Sequence, residues 1–202
     1  MNTTQASFQL PLDCEVTYYP DFLSSEEAWE LYHLLLEEYQ IHKEQLVIEA
    51  GGQLIDTDSY KILFADQELI DRNSHPKQVH GKNFVWSGAL EKLKIKVEEL
   101  TGKTYPLAMA LYYPDGNNLT PYHTDQKTSG DETILPSLSL GAIRSFTFRE
   151  NTTQEVYSLE LNHGSLLVMG KDSQDNYMHS LPKDANCKKG RINITFRDAN
   201  FQ

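Results

Sequence analysis

From residue 103 to residue 197 the apolar residues recur at every second position, not every third or fourth. That period limits the available folds more than any other feature of the chain. It breaks into candidate strands at 106–113, 120–124, 136–140, 143–149, 155–160, 165–169, 177–180 and 190–197, separated by Gly, Asn and Asp turns. Short strands with one polar and one apolar face must bury the apolar face against a second layer, so a closed or doubled antiparallel sheet is expected.

Upstream the period is mixed. Val16 to Phe22 reads as a short strand. Ser24 or Ser25 can cap a helix whose first turn holds Glu26 and Glu27, and Ala28, Leu31, Leu34 and Leu35 give residues 25–39 an apolar stripe. Leu46–Ile48 and Tyr60–Phe64 look like strands, with turns at Gly51-Gly52, Asp56–Ser59 and Asn73–Pro76. A second helix over 88–101 carries Leu90, Leu93, Val97 and Leu100 on one face, and Gly102 ends it. The fold class is therefore mainly β with N-terminal helices (α+β). At 202 residues the chain is one domain's worth. Residues 1–12 are expected to be loose and 13–202 to form a single domain, with a helical part at 13–105 and a sheet core at 106–198.

Hydrophobic residues at 39% and charged residues at 23% exclude wholesale disorder. No run approaches a membrane span, and MNTTQASFQL has neither the basic start nor the long apolar stretch of a secretory leader. Cys14 and Cys187 cannot make a disulfide framework. A cytoplasmic location is expected, or a nuclear one in a eukaryote. The net charge of −11 argues against a nucleic-acid partner until its distribution is examined. Residues 1–50 hold ten acids against the single base Lys43, while the remainder holds nineteen acids and seventeen bases. A nearly neutral second part leaves room for a local basic groove.

Chemistry concentrates in that second part. In Tyr122-His123-Thr124-Asp125 the period of two points His123 and Asp125 to one side, where both can reach one metal. Taken alone, a surface histidine beside an acid would look the same. His179, on another predicted strand, supplies a third donor, and two His with one carboxylate form the facial triad of non-haem Fe(II) oxygenases, with open positions for a cosubstrate and dioxygen. His33, His42, His75, His80 and His163 lack an acid at such spacing and read as packing or surface residues. On the last strand Arg191, Asn193, Thr195 and Arg197 alternate with Ile192, Ile194 and Phe196. Inside a barrel the polar face would bind a small dicarboxylate through Arg; on an edge strand it would simply be solvated.

Together these residues resemble the AlkB-type members of the 2-oxoglutarate- and Fe(II)-dependent dioxygenases. The resemblance runs through Trp86-Ser87-Gly88, Tyr113-Pro114-Asp115-Gly116, His123-Thr124-Asp125, Ser137 to Phe146, Gly164 to Met169, Tyr177 to Lys183 and Arg191 to Arg197. It implies a double-stranded β-helix (jelly roll) with Fe(II), 2-oxoglutarate and O2. The implied reaction is oxidative demethylation of N-alkylated bases in DNA or RNA, unpaired or flipped, that releases formaldehyde, succinate and CO2. By resemblance His123, Asp125 and His179 are the iron ligands. Arg191 and Tyr113 hold the distal carboxylate of 2-oxoglutarate, Arg197 lies near the chelating one, and Asn193 supports the cosubstrate. Trp86 is either the aromatic that stacks on the flipped base or a core residue. Two positions depart from the family. Leu111 stands where Asn helps hold 2-oxoglutarate. Lys127 stands where an acid contacts the base; it would oppose a cationic base unless Asp131 or Glu132 took over. These changes keep open a second substrate class, a small molecule, peptide or protein.

Overall fold

The computed structural model describes residues 6–50, 53–77, 81–125 and 133–198. Its strands are β1 (Phe8–Gln9), β2 (Val16–Tyr19), β3 (Gln45–Ala50), β4 (Gln53–Ala65), β5 (Lys82–Val85), β6 (Leu107–Tyr113), β7 (Thr120–His123), β8 (Leu135–Gly141), β9 (Arg144–Glu150), β10 (Val156–Leu161), β11 (Leu166–Met169), β12 (Tyr177–Leu181) and β13 (Arg191–Arg197). Among the described residues they form two sheets. One is nine-stranded in the order β1-β2-β11-β8-β13-β6-β4-β3, with β5 added alongside β4; the other is four-stranded in the order β10-β9-β12-β7. Apart from the parallel β4–β5 pair, the pairings are antiparallel. This mainly β architecture is consistent with a jelly roll.

Helix α1 (Ser25–Glu37) begins with a complete capping box, Ser24 accepting from the Glu27 backbone and Glu27 accepting from the Ser24 backbone. It buries Ala28, Leu31, Tyr32 and Leu35. A short helix, α2 (Gln67–Asp71), follows β4, and α3 (Gly88–Thr101) buries Leu90, Leu93 and Val97 and stops at left-handed Gly102. These stripes pack on one face of the large sheet, where Ile62, Phe64, Ile192, Ile194 and Phe196 meet them in a single cluster. A second cluster, built on Val16, Leu135, Phe148, Leu167 and Tyr177, holds the two sheets together.

The strands expected after Gly102 occur within a residue of their predicted limits. Further upstream the structure differs. Residues 56–59, expected to turn, lie inside the continuous β4: Asp56 pairs with Val47 of β3, and the β3–β4 register shifts before Tyr60 pairs with Gln45, so the segment is taken up as an irregularity of the strand and not as a chain reversal. The strand expected over 16–22 ends at Tyr19, and Phe8–Gln9, within the segment expected to be loose, pairs with it. The turn expected at Gly51-Gly52 lies outside the described residues.

β8 ends at Gly141, whose φ is +86° and where an added Cβ would lie 2.5 Å from the Gly190 carbonyl and 2.7 Å from the Tyr32 ring. Neither the backbone nor the buried ring can retreat cheaply. Gly141→Ala is therefore expected to cost about 2 kcal/mol or more, measurable as a lower denaturation midpoint at unchanged slope.

Candidate active site

β13 lies between β6 and β8, so the edge-strand alternative for its polar face is excluded. Its apolar residues enter the core beneath the helices. Arg191, Asn193, Thr195 and Arg197 face the other way and line a small cavity of about 50 Å³ between the sheets, which Tyr113, His123, Asp125 and His179 also line.

Register explains how residues distant in sequence meet here. β7 and β12 pair with His123 directly opposite His179, and the two rings lie 4.3 Å apart. Asp125 follows β7 by two residues, and its carboxylate lies 3.4 Å from His179 Nε2. One donor atom from each of the three residues falls within 4.8 Å of the others, an arrangement that could hold a metal ion. His123 Nδ1 donates to the Pro121 carbonyl at 2.8 Å, which leaves Nε2 with its lone pair. Phe146 stacks on His179 at 5.3 Å and 26°.

Charge is arranged in the same way. Burial alone would raise the Asp125 pKa, but the His179 contact and the Arg197 guanidinium, 2.5 Å away, hold it well below the usual carboxylate range. Burial and the neighbouring His179 hold the His123 pKa below the ordinary histidine value. Both shifts keep the donors deprotonated, as metal ligation requires. Arg191 is 2% exposed, and burial draws its pKa down to about 10. It donates to Ser139 Oγ at 2.9 Å, but its Nε has no hydrogen-bond partner and no carboxylate pairs with it among the described residues. A buried cation without an anion is costly, and a carboxylate brought in from solution would complete it. Tyr113 and Thr120 share a hydrogen bond of 2.9 Å beside it. The donor set therefore fits both Fe(II) and a dicarboxylate.

Asn193 is already engaged, donating to Ser137 Oγ at 2.7 Å and to the Leu138 carbonyl at 3.0 Å. Leu111 lines the cavity as an apolar spacer. Arg197, expected near the chelating carboxylate, is tied to Asp125. Lys127, Asp131 and Glu132 lie outside the described residues.

Gln174 was not visible in the sequence as a site residue. It is buried in the helical turn before β12, and its side-chain oxygen accepts the Asp125 backbone N–H at 2.7 Å. A lone Gln in a polar stretch carries no pattern that marks it.

Trp86 is not brought to the cavity, which corrects the stacking expectation in favour of the core alternative. It is 8% exposed and stacks parallel to Phe196 at 6.2 Å, with Phe64 at 5.8 Å. Both partners belong to the core beneath the helices, on the sheet face away from the cavity. The short β5, added in parallel beside β4, delivers the ring to that face.

A profile of the 2OG-Fe(II) oxygenase superfamily matches residues 15–197. Alpha-ketoglutarate-dependent dioxygenase alkB homolog 3 of Rattus norvegicus is 33% identical over 122 residues, 55% of this chain and 41% of that one. DNA oxidative demethylase ALKBH2 of Mus musculus is 33% identical over 121 residues, 55% of this chain and 51% of that one. The chain thus spans about half the length of these relatives or less. The solved structure of OsALKBH1 superposes with a TM-score of 0.62 at 13% identity, covering 94% of this chain and 100% of that one, a likeness of fold alone.

The core placement of Trp86 has a direct consequence. Trp86→Ala is expected to lower the unfolding free energy by about 3–5 kcal/mol. Any loss of 2-oxoglutarate turnover should then be equal with and without a second substrate; a loss confined to the reaction with substrate would return Trp86 to the binding site.

Proposed function

The chain belongs to the 2OG-Fe(II) oxygenase superfamily, and from that premise we propose that it is an Fe(II)- and 2-oxoglutarate-dependent dioxygenase that demethylates N-alkylated bases of DNA or RNA. The observation that carries this reading is the junction, in one cavity, of the His123, Asp125 and His179 cluster with the buried Arg191, which pairs with no carboxylate among the described residues. The demethylase half draws on the relatives named alkB homolog 3 and DNA oxidative demethylase ALKBH2. On this reading residues 13–202 are one catalytic domain whose core, 106–198, is a double-stranded β-helix.

His123, Asp125 and His179 would hold the iron on one side, leaving its other positions open. When bound, Fe(II) with 2-oxoglutarate and O2 supplies the oxidising power to hydroxylate a C–H bond of an N-methyl group, with succinate, CO2 and formaldehyde as products. The chain's residues supply position and charge. Arg191 would pair with the distal carboxylate of the cosubstrate, and Tyr113, which shares a hydrogen bond with Thr120, would hydrogen-bond it. Arg197 keeps Asp125 ionised and fixes its carboxylate within the cluster that would hold the metal. Asn193 orders the polar row between the two arginines through its bonds to β8. Apolar Leu111, Met109 and Leu181 limit stray water. A nucleobase must leave its stack to reach so small a cavity.

A second reading, oxidation of a small molecule, peptide or protein, gains from the burial of Trp86, which takes away the expected stacking platform. Among the described residues no helix is long and apolar enough to cross a membrane.

A panel of methylated single-stranded DNA, duplex DNA, RNA and free nucleotides, assayed for formaldehyde, separates the two readings. His123→Ala is expected to lose stoichiometric Fe(II) and succinate formation together, as measured by metal analysis and product assay; full turnover at stoichiometric iron would reject the triad. Arg191→Met is expected to weaken 2-oxoglutarate binding by about 3 kcal/mol. Anaerobic titration of the iron–cosubstrate absorption band would read this change, with iron content largely retained.

A further inference from the structure

β4 sends alternate residues to opposite faces. Ile62 and Phe64 enter the core beneath the helices, whereas Leu63 and Ala65 pack beside Met109, which lines the cavity. Lys61 therefore shares the cavity face. In register it stands level with Leu111 of β6 and, one strand further, with Asn193 of β13. Leu111 and Asn193 both line the cavity. Burial, and then the charge of Arg197, draw the Lys61 pKa downward, so the two cations feel one another across this face. Elsewhere lysines meet acids: Lys94 meets Asp66 at 2.7 Å, and Lys77 and Lys82 both approach Glu44 at 3.9 Å. The Lys61 ammonium has no such partner among the described residues.

The face is thus unbalanced. Arg191, Arg197 and Lys61 are cationic, and among the described cavity residues only Asp125 is anionic, already paired with Arg197. Loading the site with divalent iron and dianionic 2-oxoglutarate leaves the balance unchanged, so among the described residues the filled cavity keeps an excess of positive charge. Lys61 contributes to it across an apolar side chain, where Coulomb effects are less screened than in open water.

We propose that Lys61 is a specificity-determining residue that disfavours a positively charged prime substrate relative to an uncharged one. This rests on the nucleobase reading above and narrows it. Alkylation at N1 of adenine or N3 of cytosine leaves a cation at neutral pH. Alkylation at N1 of guanine or N3 of thymine replaces an N–H, and the ring stays uncharged with a carbonyl beside the alkyl group. The substrates of choice are the uncharged N-alkylated guanine and thymine bases, which the positive charge does not repel.

The test uses single-stranded oligonucleotides of one sequence carrying 1-methylguanine, 3-methylthymine, 1-methyladenine or 3-methylcytosine. Dissociation constants are measured without oxygen on protein holding Mn(II) and 2-oxoglutarate, and formaldehyde release on the Fe(II) enzyme, at fixed ionic strength. Wild type is expected to prefer the uncharged lesions. Lys61→Met should move the uncharged-to-cationic ratio about tenfold toward the cationic bases, and Lys61→Arg should keep the wild-type ratio. The ratio is insensitive to the fraction of protein that is active. A wild-type preference for the cationic lesions, or a ratio unmoved by Lys61→Met, would overturn the inference while leaving the nucleobase reading intact. If 2-oxoglutarate is consumed but no lesion is bound or demethylated, the nucleobase reading falls, and this inference with it.

Discussion

The contact between Arg197 and Asp125 joins the two sheets at the site. Arg197 ends β13 of the large sheet, and Asp125 follows β7 of the small one. Desolvation opposes an ionised Asp125 at this depth, and the guanidinium together with His179 reverses that opposition. Without the arginine the carboxylate would be a buried, uncompensated charge, whose cost runs to several kcal/mol. The same contact fixes where the carboxylate points, so it sets both the charge and the direction of one donor of the cluster. Gln174 completes the restraint by fixing the backbone of the same residue.

β13 organises the rest. Its central place lets one strand serve two purposes without conflict, since the pleat separates them. Ile192, Ile194 and Phe196 are fully buried under the helices, and Trp86 stacks on the last of them. Their burial supplies apolar stabilisation of the kind that can offset the desolvation of Arg191 and Arg197 on the other face. A register slip of one residue would place guanidiniums in the helix-side core and isoleucines in the cavity, so register here is strongly specified.

Much of this was legible in the sequence, because it depends on local period and on residue types with strong chemical preferences. The strands after Gly102, both long helices and their buried stripes follow from alternation, capping and the positive φ of a stop glycine. His123 and Asp125 could be placed on one side by spacing, but the pairing of His123 with His179 is a register fact that only the folded sheet displays. The rest was hidden for the same kind of reason. Residues 56–59 carry turn-forming types yet lie in β4, because the pairing with β3 resumes at Tyr60 after a register shift and keeps the chain running as one strand. Trp86 sits in a motif that suggests a substrate contact, but which face its ring meets depends on where β5 docks. Lys61 belongs to an unremarkable apolar run, and its alignment with Leu111 and Asn193 exists only across three strands.

The distribution of satisfied and unsatisfied groups separates what the cavity does for the fold from what it does for ligands. Asn193, Thr195 and Ser137 close their hydrogen bonds among themselves, so this polar row is complete as folded and keeps the strands in register. Arg144, 1% exposed, is likewise absorbed in structure, because it donates to the carbonyls of Asp115, Asn118 and Pro182. Arg191 differs. It is as deeply buried, yet its sole hydrogen bond among the described side chains goes to a neutral hydroxyl. A fold that only needed a filled interior would be more stable with an apolar residue there. The chain instead carries at the inner wall of the cavity a guanidinium that no carboxylate among the described residues compensates. An anion that binds it would remove a desolvation cost already borne in folding, so binding energy and folding energy meet at this one side chain.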